Sequence, residues 1–155
     1  MSTVHWDLLT DEQPFREAFD RVFLCEVMAH LPVPPYQYLD RLRLALRPGG
    51  VLLVSTPNLH RLRNLALLLA GQEPFGHFAA PEPGTWHGSF LDFSASHLRW
   101  QLERAGFAHV LIERREFGHR ASSPAARLAN LALRPLTLIP HLRYNLVATA
   151  IRPHI

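Results

Sequence analysis

Glu26 is the residue hardest to explain as packing alone. It is a carboxylate inside the apolar run Val22-Phe23-Leu24-Cys25-Glu26-Val27, where an ionised group is costly unless a partner or solvent satisfies it. Two readings follow: a side chain facing a site, or a strand-end group reaching water. Four residues on, His30 carries the one side chain whose ordinary pKa, about 6.5, suits a general base near neutrality. A capping or packing histidine fits that position equally. His87 lies among aromatics and reads as a substrate contact or an ordinary loop residue. Asp7 closes a short stretch, residues 3–9, with strand character, and Asp is common there as a turn or cap residue. Cys25 has no histidine and asparagine arranged to make it a nucleophile, so it is expected in the core or lining a pocket. His77, His87 and His97 recur every ten residues. That spacing puts no two of them on one helix face as a ligand pair, so no metal is expected.

These residues need elements to hold them. Val22–Val27 has the composition of a buried parallel strand. Pro32, Pro34 and Pro35 start a helix in which Leu39, Leu42 and Leu46 share a face, and Pro48-Gly49-Gly50 stops it. Val51–Ser55 reads as a second buried strand. Asn58 is expected to cap a helix with Leu62, Leu65 and Leu69 inward, ending at Gly71. A long loop, 72–93, follows. It holds Phe75, Phe78, Trp86, Phe90 and Phe93, and loops of that length are usually functional or disordered. Ser94 or Ser96 begins a helix with Leu98, Leu102 and Ala105 inward. Gly106 ends it, with Phe107 folding back. His109–Arg114 reads as a strand, Ser123-Pro124 as a helix start, and Arg143–Arg152 as the last strand. Alternating strands and helices imply an α/β, mostly parallel sheet with right-handed crossovers. Ligands of such sheets bind beyond the carboxyl ends of the strands.

The 155 residues suit a single domain spanning 1–155, able to bury roughly 70% of its unfolded surface. The chain has no lysine, so its net charge of +3 rests on arginine. Short groups such as Arg41-Arg43-Arg47 read as solvated helix faces. No nucleic-acid motif accompanies them, so no nucleic-acid partner is expected. A lone cysteine excludes an internal disulfide and fits a reducing compartment. Residues 1–20 hold Asp7, Asp11, Glu12 and Glu17 without a long apolar core, and the longest apolar run, Leu65–Ala70, is too short for a bilayer. A cytoplasmic protein without membrane contact is expected.

Four segments, taken in order, resemble class I S-adenosylmethionine-dependent methyltransferases. Asp7-Leu8 with Gln13-Pro14-Phe15 resembles the third-strand motif, and Phe19-Asp20 to Leu31 the fourth. Leu46-Arg47-Pro48-Gly49-Gly50 to Asn58 resembles the fifth, and His87, Leu98 and Ala105-Gly106-Phe107 the late helix and its closing turn. The resemblance implies a Rossmann-like sheet and S-adenosylmethionine as cofactor. Asp7 would bind the adenine amino group with the backbone of Leu8 beside it. Cys25, Glu26 and Val27 would line the methionine end. The family's first-strand glycine loop has no counterpart, the first glycine being Gly49. An N-terminally truncated, apparently incomplete domain is therefore expected.

The resemblance implies methyl transfer to a small-molecule acceptor, with 72–93 as an acceptor lid and His30 and His87 as candidate catalytic residues. The isolated chain is expected to bind cofactor weakly. The alternative is a non-catalytic α/β remnant that serves protein interaction. In the family the missing first strand pairs with Val22–Cys25. That segment is therefore an unprotected edge, open to a second copy or a completing chain.

Overall fold

The computed structural model of the chain describes residues 3–75, 91–117 and 134–154. Four strands, β1 (Phe19–Cys25), β2 (Leu46–Pro57), β3 (Ala108–Arg115) and β4 (Asn145–Ile151), form a sheet in the order β1-β2-β4-β3. β1 and β2 are parallel, and β4 is antiparallel to both its neighbours. β3 thus runs with β1 and β2. The sheet is mostly parallel with an antiparallel last strand, the expected Rossmann-like α/β architecture.

Helices α1 (Pro35–Ala45) and α3 (Ala95–Arg104) make the two parallel crossovers, β1 to β2 and β2 to β3. Both crossovers run in the same direction across the sheet. Because such connections are right-handed almost without exception, both helices belong on one face. The core agrees. Leu24, Leu52, Val54, Leu146, Ala148 and Val110 from alternate strand positions are buried with Tyr38, Leu39 and Leu42 of α1 and Leu98 and Leu102 of α3. Pro35 opens α1 with its fixed φ and no amide donor to satisfy. Ser94 caps α3 by accepting the His97 N–H at 3.1 Å. Gly106, at φ +85°, closes it, and the Phe107 N–H donates to Leu102 O, turning a buried Phe107 back onto the helix.

Several expectations are corrected. Residues 3–9 form no strand. They run irregularly into a turn and are held against α1, where Arg41 donates to the carbonyls of Leu8 and Asp11 and stacks over Trp6. Ring contacts pass from Trp6 to Phe15 and from Phe15 to Phe19, so the segment reaches the start of β1 without pairing with it. The second strand starts at Leu46, not Val51, because the Gly49 N–H donates to Arg152 O and Arg152 N–H to Gly50 O. The pairing with β1 absorbs the extra residues as a bulge between Phe19 and Arg21. The last strand is shorter than Arg143–Arg152, its paired residues being Asn145–Ile151.

Asn58 does not cap the next helix. Its side-chain amide donates to the carbonyls of His141 and Arg143 at 2.9 and 2.8 Å, and α2 (Leu62–Leu69) begins after Arg61. The leucine stripe of α2 is not buried either: Leu62 is half-buried, Leu65 and Leu69 are exposed, and Asn64 is the buried residue of the helix. Of the loop 72–93, residues 76–90 lie outside the described residues, and with them His77, His87 and Trp86. The expected helix start at Ser123-Pro124 lies outside them as well.

Candidate functional site

The parallel strands end together at Cys25, Pro57 and Arg115. This is the edge of the sheet where ligands of such folds bind. Glu26 stands there. Its φ of +56° is a left-handed conformation that costs a residue with a side chain about 1 kcal/mol or more. Two bonds hold it. Its N–H donates to Ser55 O at 2.9 Å, continuing the ladder past Cys25, and the Ser55 hydroxyl donates to Glu26 Oε1 at 2.7 Å. The carboxylate itself is exposed. The apolar run thus carries Glu26 because the strand has already ended and the side chain turns out to solvent. One oxygen is fixed by a buried serine, which leaves a carboxylate able to accept from an ammonium or a hydroxyl.

Val27 is half-buried and leads into a short 3-10 turn, Met28–His30, whose first two residues are buried. Met28 and Ala29 anchor the turn, and half-buried His30 ends it just before the prolines that open α1. Cys25 does not lie in the core as one reading had it: its thiol is free and exposed, because its side chain points to the sheet face opposite Leu24.

Asp7 lies apart from the strand ends, since residues 3–9 are not in the sheet. It organises its own turn. Its Oδ1 accepts the N–H groups of Leu9 and Thr10, and its N–H donates to Asp11 Oδ2. These bonds, the Leu9 N–H first and the Thr10 side chain next, hold its carboxyl below the usual carboxylate range. The turn reading of Asp7 is the one the structure displays. Leu8 sits in the same turn, half-buried, with its carbonyl on Arg41.

Sequence reasoning missed a buried polar cluster beside the end of β2. Arg61 pairs with Asp92 at 2.8 Å with both side chains almost fully enclosed. Asn64 accepts from Arg61 Nε at 3.0 Å and donates to Asp92 Oδ2 at 2.8 Å. The guanidinium lies over the Tyr144 ring. Beside it the Leu59 N–H donates to Phe93 O, and the Phe93 N–H to Pro57 O, so Asn58 and Phe93 pair as a short parallel bridge. Together these bonds close the base of the excursion that contains α2 and the aromatic segment. Nothing local in the sequence marks the cluster. Arg61 and Asn64 are one turn apart, but Asp92 is 28 residues from Asn64.

A cleft of about 840 Å³ opens at the end of β3, lined by Arg115, Phe117, Leu138 and Arg143 among others. Glu26 and His30 do not line it. At about 4.8 Å per strand, the three steps from β1 put the two places roughly 15 Å apart. The Arg115 guanidinium is turned to Glu113, and Arg143 donates to the carbonyls of Thr137 and Arg114, so the cleft's cations are spent on the protein itself.

Comparison with known proteins supplies the family. Residues 3–112 match the model of a methyltransferase domain. A tRNA U34 carboxymethyltransferase of Hahella chejuensis is 35% identical over 107 residues, which are 66% of this chain and 28% of that protein. A SAM-dependent methyltransferase of Thermotoga maritima superposes with a TM-score of 0.57 at 14% identity, over 90% of this chain and 58% of that one. A chain from the Haloferax volcanii complex of the Trm112 methyltransferase activator with a methyltransferase gives 0.58 at 16%, over 94% and 59%. The chain therefore spans between about a quarter and three-fifths of the length of these relatives. The family model covers well over half of it: the chain belongs to the methyltransferase domain family.

Proposed function

We propose that this chain carries the β1–β2 part of an S-adenosylmethionine site and serves methyl transfer to a small-molecule acceptor. The observation that carries the reading is Glu26, a strained residue at the carboxyl end of a parallel strand whose carboxylate is fixed by Ser55. Strain kept at such a place fits a binding role. The exposed carboxylate suits the ammonium of an amino-acid tail, with Cys25 and Val27 on either side. The sulfonium of the cofactor supplies an already activated methyl group. What remains for the chain is to hold and orient the reactants and, for a hydroxyl acceptor, to take its proton at His30. His87 and the segment 72–93 are assigned to the acceptor. The assignment of Asp7 and Leu8 to the adenine rests on the resemblance alone, since Asp7 is already committed to its own turn.

Titration calorimetry with S-adenosylhomocysteine tests this. The isolated chain should bind it in the high-micromolar range, several hydrogen bonds of about 1 kcal/mol each being absent with the glycine loop. Glu26→Gln should weaken binding about tenfold further. Low-micromolar affinity would contradict an incomplete site, and an unchanged constant in Glu26→Gln would remove Glu26 from it.

A second reading is favoured by the Hahella relative, whose acceptor is a tRNA nucleoside by its name. In that case the acceptor here is RNA, and the expectation of no nucleic-acid partner, which that relative does not support, is given up. The arginine excess would then serve phosphate contact, and binding to tRNA would fall steeply with salt. Salt-independent or absent RNA binding leaves the small-molecule reading.

A further inference from the structure

Helix α2 is amphipathic the wrong way round. Arg61 and Asn64, one turn apart, are turned inward and held by Asp92. Leu65, Leu68 and Leu69, neighbours at i, i+3 and i+4, are turned outward, and Leu69 is 82% exposed. A single exposed leucine is ordinary. Three on one helix whose polar residues are buried are not, since burial of the leucines is what normally seats a helix.

A second element repeats the pattern. Two consecutive 3-10 turns, Arg134–Leu138 and Pro140–Leu142, leave Leu136, Leu138 and Ile139 exposed, Leu138 by 77%. The two groups are rooted on one joint. The Asn58 amide donates to the carbonyls of His141 and Arg143, the Asn58 N–H donates to Tyr144 O, and the Arg61 guanidinium lies over the Tyr144 ring. Leu69 is roughly 12 Å along α2 from Arg61, and Arg143 reaches back to Thr137 O at 3.3 Å. Contiguous apolar surface of this kind marks an interaction site.

The charges around it have one sign. From Arg41 to Gln72 the sequence has arginines but no Asp or Glu, and the same holds from Arg134 to His154. Arg63, on α2, is exposed and meets the Asn64 side chain and the Pro74 carbonyl only at 3.5 and 3.4 Å. RNA would use the cations and leave the leucines wet. A second copy of the patch would set arginine against arginine. An anionic bilayer uses both, taking leucines at the acyl boundary and arginines at the headgroups.

We infer that α2 and the 134–142 turns form a surface that lies on an anionic lipid membrane. Among the described residues no helix is long and apolar enough to cross a membrane, but lying on one needs no spanning helix. The expectation of no membrane contact is therefore set aside. The inference goes beyond the proposed methyl transfer and does not depend on cofactor binding.

Flotation of the 155-residue chain with vesicles tests it. The chain should float with phosphatidylcholine vesicles containing about 30% phosphatidylglycerol, and bind pure phosphatidylcholine at least about tenfold less tightly. Leu68→Ser with Leu69→Ser, and Leu138→Ser with Ile139→Ser, should each weaken binding about tenfold or more while leaving the Tm without vesicles unchanged. Arg63→Glu should weaken it about fivefold or more. Phe23→Glu, on the open face of the sheet, should not weaken it. Failure to float with the anionic vesicles would overturn the inference, as would binding kept in both leucine pairs or lost equally in Phe23→Glu. A Tm lowered by the leucine pairs would overturn it too, since the chain would then enclose those residues itself. So would a dimer that the leucine pairs dissolve, or tRNA binding that they abolish, either of which assigns the patch to another occupant. No readout involves S-adenosylhomocysteine, so a failed cofactor titration and a failed flotation are separate results.

Discussion

The two faces of this sheet use the same strands and meet opposite fates. On one, Leu24, Leu52, Val54 and Ala148 lie under α1 and α3 and are almost wholly enclosed. On the other, one residue along each strand, Phe23, Leu53 and Leu111 face outward. Strand composition does not make the difference, because both sets are apolar. It comes from the direction of the crossovers, which deliver every described sheet-packing helix to one side. An apolar side chain is in the core when a helix arrives above it, and period-two alternation says only which residues share a side.

Four measurements sharpen or break that contrast. The largest effect is expected at the polar base beside the closed face. Asp92→Ala leaves the Arg61 charge buried without its partner and should cost about 3–5 kcal/mol. The exposed pair of Arg47 with Asp20 should lose about 1 kcal/mol or less in Asp20→Ala. Urea denaturation of the two variants gives both values, and equal costs would mean the enclosed pair is wet.

Next comes the closed face itself, where Leu52→Ala should cost about 2–5 kcal/mol through lost burial and the cavity left behind. Calorimetric or denaturant midpoints suffice, and a cost under about 1 kcal/mol would show a loosely packed interior.

A smaller effect depends on pH. Burial pushes the phenol of Tyr38 well above its usual range, and its hydroxyl has no hydrogen-bond partner among the described residues. A raised folded-state pKa means the unfolded chain gives up this proton first as pH rises. The stability is thus complete below the unfolded value of about 10 and declines above it. Tyr38→Phe should flatten that alkaline decline, and an unaltered profile between about pH 9 and 11 would exclude the phenol as its source.

The smallest effect belongs to the open face. Phe23→Ser in the lone chain should change stability by no more than about 0.5 kcal/mol. A loss approaching that of Leu52→Ala would erase the distinction between the faces.

Much of the fold was legible because it is locally determined. The proline start of α1, the serine cap of α3, the Gly106 closure and the apolar run of β1 all act within a few residues. What was not legible depends on distant partners. Residues 3–9 have the composition of a strand but are bound by Arg41 on α1. Asn58 is a good cap residue but is claimed by two carbonyls more than 80 residues away. The leucines of α2 repeat as a buried stripe would, yet they meet no neighbour in the described structure that encloses them. At the candidate site, the place of Glu26 could be read from its apolar neighbours. The reason it is tolerated could not, because that reason is a left-handed turn and a serine from the next strand.

The short bridge between Asn58 and Phe93, with the enclosed Arg61, Asn64 and Asp92 beneath it, ties both ends of a 34-residue excursion to the end of β2. Such a stem separates inheritance of the sheet from inheritance of whatever the excursion touches. Beyond the knot, length and sequence can drift or be exchanged wholesale at little cost to the strands. If, as proposed above, the excursion meets the acceptor, a change of acceptor needs no new scaffold: a graft joined inside the stem should carry its preference with it, whereas one cut at 58 or 93 would unpick the seam.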